Sequence, residues 1–103
     1  MSEKIYTIEE IREMLNEILK EEQVSKVILF GSYAKKQANK KSDIDLILYT
    51  NERLKGFALL KLICKIQDKF QKDVDGFEKY EIVDDSEIDK EIKKTGVVVY
   101  EKY

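Results

Sequence analysis

Apolar residues recur along this chain in two rhythms. Ile8, Ile11, Leu15, Ile18 and Leu19 return at helical spacing, which lays one stripe on a core. Thr7 with Glu10 three residues on has the capping-box pattern, so the spacing predicts a helix from Ile8 to about Glu21, after a lead-in over Met1–Tyr6. Leu59, Leu62, Ile63, Ile66 and Phe70 predict a second long helix from about Gly56 to Phe70. A last helix is capped by Ser86, runs through about Thr95 and stops at Gly96. Between the helices lie short runs rich in β-branched and apolar residues, read as strands: Val24–Phe30, Asp43–Tyr49, Asp73–Ile82 with a bend at Gly76, and Val97–Tyr100. Tyr33–Ala38 is expected as a short helix, Asn39–Ser42 as a polar connection and Thr50–Lys55 as a turn.

Composition narrows the function. With 103 residues and no proline, repeat or low-complexity stretch, a single domain over 1–103 is expected. The net charge of −2 sets up no global field for a polyanion, so no direct nucleic-acid binding is expected. A lone cysteine, Cys64, cannot build a disulfide framework, and the absence of histidine removes imidazole bases and histidine-ligated zinc. Any acid–base chemistry falls to Asp, Glu, Lys or Tyr. No apolar run reaches membrane-spanning length, which makes the cytoplasm the expected location.

The chemistry concentrates in Phe30–Leu46. Gly31-Ser32 follows the apolar run Val27–Phe30, and small residues at a strand end let backbone N–H groups approach a phosphate. Asp43 and Asp45 open the next strand and share a face, because strand side chains alternate. Same-side carboxylates beside a phosphate cradle suit Mg²⁺, which prefers oxygen ligands and substrate phosphates. Singly, each piece reads as a turn or a solvated strand edge. Jointly, two carboxylates opening an otherwise buried strand point to nucleotide chemistry.

Gly31-Ser32-Tyr33-Ala34, with ten residues between Ser32 and Asp43, then Asp43-Ile44-Asp45-Leu46 resembles the signature of the minimal nucleotidyltransferases, small relatives of the DNA polymerase β palm. The order of helices and strands agrees over nearly the whole chain. The resemblance implies a single-domain α/β (α+β) fold, a small mixed β-sheet packed with helices. It implies Mg²⁺ at Asp43, Asp45 and a third acid, ATP as substrate, and the β- and γ-phosphates at Gly31 and Ser32. The third acid is assigned to Asp75, in the family's Val-Asp context, with Asp73 on the same face as the fallback and a solvated strand-edge charge as the rival reading. Asp75 would also accept the proton of the attacking hydroxyl, once the metal has made that hydroxyl more acidic. Lys35 stands where the family usually has Arg, and Lys36 where it usually has Gly. Lys35 keeps a charge for phosphate but loses the bidentate fork; Lys36, Lys40 and Lys41 read as a solvated rim.

Free-standing members of the family resemble the antitoxin of HEPN–MNT pairs, which moves AMP from ATP onto a tyrosine of a HEPN ribonuclease toxin. That makes a HEPN-type toxin the expected partner. Two alternatives stand beside it: a catalytically weak module that neutralises a toxin by contact, and an antibiotic-type transferase acting on a small molecule. Tyr100, Tyr103 and Val97 are read as packing of the last strand, with a partner interface as the alternative.

Overall fold

The computed structural model describes residues 4–102; Met1–Glu3 of the lead-in and Tyr103 lie outside them. The elements are α1 (Ile8–Leu19), β1 (Lys26–Phe30), α2 (Gly31–Ala34), β2 (Ile44–Tyr49), α3 (Phe57–Phe70), β3 (Val74–Glu78), α4 (Glu87–Thr95) and β4 (Val97–Glu101). The strands form one sheet in the order β3-β2-β1-β4. β1 runs antiparallel to both β2 and β4, whereas β2 and β3 are parallel. A parallel pair needs a crossover, and α3 supplies it.

Alternation along the strands decides the faces. Val27, Leu29, Ile44, Leu46, Leu48 and Val74 are buried in one cluster with Ile11, Leu15 and Ile18 of α1 and Leu62, Ile66 and Phe70 of α3. The intervening residues, Phe30, Asp45, Asp75 and Phe77 among them, therefore face the other side. On that side α4 docks close to β1: a Cβ on Gly96 would lie 2.9 Å from Ile28 Cγ2 and 2.5 Å from the Ile92 carbonyl oxygen.

Several boundaries shift from the sequence expectation, each for a local reason. The capping box forms as expected, Thr7 Oγ1 accepting from the Glu10 N–H at 3.1 Å and Glu10 Oε1 from the Thr7 N–H at 2.9 Å. α1 ends at Leu19 because Glu22 N–H turns back to the Leu19 carbonyl. α2 begins at Gly31 rather than Tyr33 and ends at Ala34 rather than Ala38, since Lys36 takes a left-handed φ of 59°. β3 does not run on to Ile82. At Glu78 the chain enters a 3₁₀ turn over Lys79–Glu81, capped by Glu78 itself. The buried Glu78 carboxylate also accepts from Thr50 N–H at 2.9 Å and Thr50 Oγ1 at 2.7 Å, which ties the ends of β2 and β3 together. β4 is a full strand, bulged against β1 so that Val27 pairs with Tyr100 and Ile28 with Val98. Tyr100 packs into the core and donates to the Leu19 carbonyl at 3.1 Å.

Candidate active site

β2 carries the centre of the site. Ile44, Leu46 and Leu48 are fully buried against the helices, so the strand cannot slip by one residue without driving charge into the core. This fixes Asp45 on the opposite face, with Phe30 beside it on β1 and Asp75 beside it on β3. Asp45 is half-buried, while Asp43, just ahead of the strand, and Asp75 are exposed.

Gly31 closes the corner. A Cβ there would stand 2.3 Å from Asp45 Oδ2, so only glycine lets the backbone pass against this carboxylate. Its φ of 74° asks for glycine independently. From this bend α2 makes one turn, anchored by Tyr33, whose ring sits in the core. The Tyr33 hydroxyl is buried without a hydrogen-bond partner; the Tyr6 backbone N–H faces it outside hydrogen-bond geometry.

Charge is crowded on this face. Burial, then Asp75, Asp43 and Glu91, push the Asp45 carboxyl up to about 6. Asp75 acts both by its charge and by a hydrogen bond, each of which favours the protonated form of Asp45. Asp73 is absent from the groups that act on Asp45, and its carbonyl instead accepts from Ile44 N–H at 3.0 Å. Asp45 thus stands against the Gly31 bend, with Asp75 as its register partner and Asp43 acting on it, and Asp73 stays in the strand entry.

Two residues that the sequence did not single out belong to this corner. Glu91, on α4, acts on Asp45 and holds Lys35 Nζ at 2.7 Å. Lys72 is 3% exposed and donates to the Lys40 carbonyl at 2.8 Å. It pins the loop that leads into Asp43, a loop already tightened by Asn39 N–H to Ser42 Oγ and Lys41 N–H to Asn39 Oδ1, both 2.8 Å. Neither had a signal in the sequence: Glu91 sits in a charged helix, and Gln71-Lys72-Asp73 reads as a solvated turn.

Among the described residues, no three acidic or cysteine side chains are already gathered into an ion cage. The donors nevertheless suit a hard divalent cation: all are carboxylate oxygens, and the charge crowding at Asp45 is what such a cation would relieve. A cleft of about 560 Å³ lies elsewhere; Tyr6, Ile8, Arg12, Tyr33 and Val97 line it, and Asp43, Asp45 and Asp75 do not. We rank the acid face above it because chemistry, not volume, marks a site.

The family described as "Polymerase beta, Nucleotidyltransferase" matches residues 13–103. Among curated proteins no sequence matches. Among solved structures, a chain of a toxin–antitoxin complex with AMP-PNP superposes with a TM-score of 0.74 at 19% identity, over 88% of this chain and 73% of that one. A chain from the tri-AMPylated Shewanella oneidensis HEPN toxin in complex with MNT antitoxin gives 0.67 at 18% identity, over 89% and 71%. An MntA–HepT toxin–antitoxin complex gives 0.66 at 17%, over 89% and 71%. At such identities the likeness carries the fold, a small mixed sheet with helices. Among the described residues no helix is long and apolar enough to cross a membrane.

Proposed function

The chain belongs to the polymerase β nucleotidyltransferase family, and on that premise we propose that it moves AMP from ATP to a tyrosine hydroxyl of a separate HEPN-type toxin, and so acts as an antitoxin. The observation that carries this reading is Asp45 set against the Gly31 bend, with Asp75 as its register partner and Asp43 acting on it. Support for the nucleotide comes from a structural neighbour bound to AMP-PNP, and support for the acceptor from one whose toxin is AMPylated.

In this reading Asp43, Asp45 and Asp75 would hold Mg²⁺, which supplies charge neutralisation at the triphosphate and acidity at the attacking hydroxyl. Gly31 and Ser32 present backbone N–H groups to the β- and γ-phosphates, and Lys35 adds a cation. The acceptor oxygen bonds to the α-phosphorus in line with the departing pyrophosphate, and the hydroxyl proton passes to Asp75 and on to solvent. Rigidity serves this step. Asp45 is locked by the β2 register and Asp43 by the Lys72-pinned loop.

The test is intact-mass analysis of a HEPN partner after incubation with the chain, ATP and Mg²⁺. A gain of one or more AMP masses on the partner is expected. Binding without added AMP, unchanged by Asp43→Asn, would instead establish neutralisation by contact. Label found only on a small hydroxylated compound would establish a small-molecule transferase.

A further inference from the structure

Lys35 caps the C-terminal end of α2, four residues beyond the Gly31 bend, and its ammonium lies 2.7 Å from Glu91 Oε1. We propose that Glu91 is a positioning residue of the nucleotide site, setting its affinity by competing with the triphosphate for Lys35. This rests on the reading of Lys35 as a phosphate contact.

Glu91 cannot follow the lysine. It is carried on α4, which is capped by Ser86 Oγ and held to β1 where Gly96 leaves no room for a Cβ against Ile28. Lys35, by contrast, is a long flexible side chain that can swing between acceptors. The pair is 38% and 32% exposed at its side chains, and ion pairs at that depth are worth at most about fivefold in an equilibrium. A triphosphate offers several anionic oxygens and stronger charge-assisted bonds, so it wins the exchange. By holding Lys35, the Glu91 carboxylate keeps nucleotide affinity down.

Titration of the full chain with ATP and Mg²⁺, with no acceptor protein present, reads this directly. Glu91→Gln is expected to lower the Kd about two- to fivefold, and Lys35→Ala to raise it. In the Lys35→Ala background, Glu91→Gln is expected to leave the Kd within about 1.5-fold, because its route is gone. A Kd unchanged or raised by Glu91→Gln overturns the proposal, as does equal tightening in both backgrounds, which would mean bulk charge rather than competition for Lys35. Should Lys35→Ala leave the Kd unaltered, Lys35 is no phosphate contact and the exchange falls with it. Transfer of AMP that still depends on Asp43 would then keep the transferase reading standing apart from this failure.

Discussion

Asp45 on β2 and Asp75 on β3 are register partners across a parallel strand pair, their carboxyls on the face turned away from the helical core. Like charges directly opposite one another destabilise a sheet. Here burial and the charge of Asp75 push the Asp45 carboxyl up to about 6 from its ordinary 3.8.

This gives stability a pH dependence of definite sign. The folded chain binds the Asp45 proton more tightly than the unfolded chain does, so the stabilisation is complete below about pH 4 and is lost as pH rises through 6. Asp45 is partly exposed, and with solvent screening the loss comes to about 1–2 kcal/mol. Denaturant unfolding without divalent cation, from pH 4 to 7.5, is expected to show Asp45→Asn gaining on the wild type as pH rises. A difference that stays constant with pH would contradict the pairing.

Gly31→Ala is expected to cost at least about 1–2 kcal/mol, the ordinary penalty of a left-handed residue with a Cβ. Its Cβ would also displace the Asp45 carboxylate it meets at 2.3 Å. Thermal unfolding checks the first effect and AMP transfer the second. An alanine variant as stable and active as the wild type would remove Gly31 from the corner.

Lys72→Met separates positioning from stability. Lys72 is buried with a carbonyl, and no carboxylate ion pair, among the described residues, so removing its charge relieves desolvation while freeing the Lys40 carbonyl. Unchanged or slightly raised stability is expected, with faster amide exchange at Lys41 and Ser42 and a fall in transfer on the order of tenfold. Unaltered exchange in that loop would show that Lys72 positions nothing.

Lys36 takes φ 59° where the related signature usually has glycine. Glycine there relieves about 1 kcal/mol of left-handed strain and returns part of it through unfolded-chain entropy. Lys36→Gly is therefore expected to stabilise by roughly 0.5 kcal/mol in denaturant unfolding. A loss of stability would mean that the lysine side chain makes a contact worth more than its strain.

What could be read from the residues was local. The Thr7–Glu10 box and the Ile11–Leu15–Ile18 stripe depend on neighbours within a few positions, and both stand in the structure, whereas Asp43, expected to open β2, lies one residue ahead of it. Gly31 could be read as a turn, but that its missing Cβ makes room for Asp45 could not, because the contact crosses from β1 to β2. β3 stops short of Ile82 although Phe77–Ile82 looks strand-like, because the Glu78–Glu81 capping pair ends it. Glu91 and Lys72 were invisible for a different reason. Their roles come from partners 56 and 32 positions away, Lys35 and Lys40, and charged residues on a helix or turn carry no mark of such a partner.

The most direct test follows label from ATP marked at the α-phosphorus onto a HEPN partner, comparing the wild type with Asp43→Asn and Asp45→Asn after each variant is shown to be folded. Label on a partner tyrosine with the wild type, and none with either variant, is the predicted result. Undiminished transfer by either variant would contradict the account.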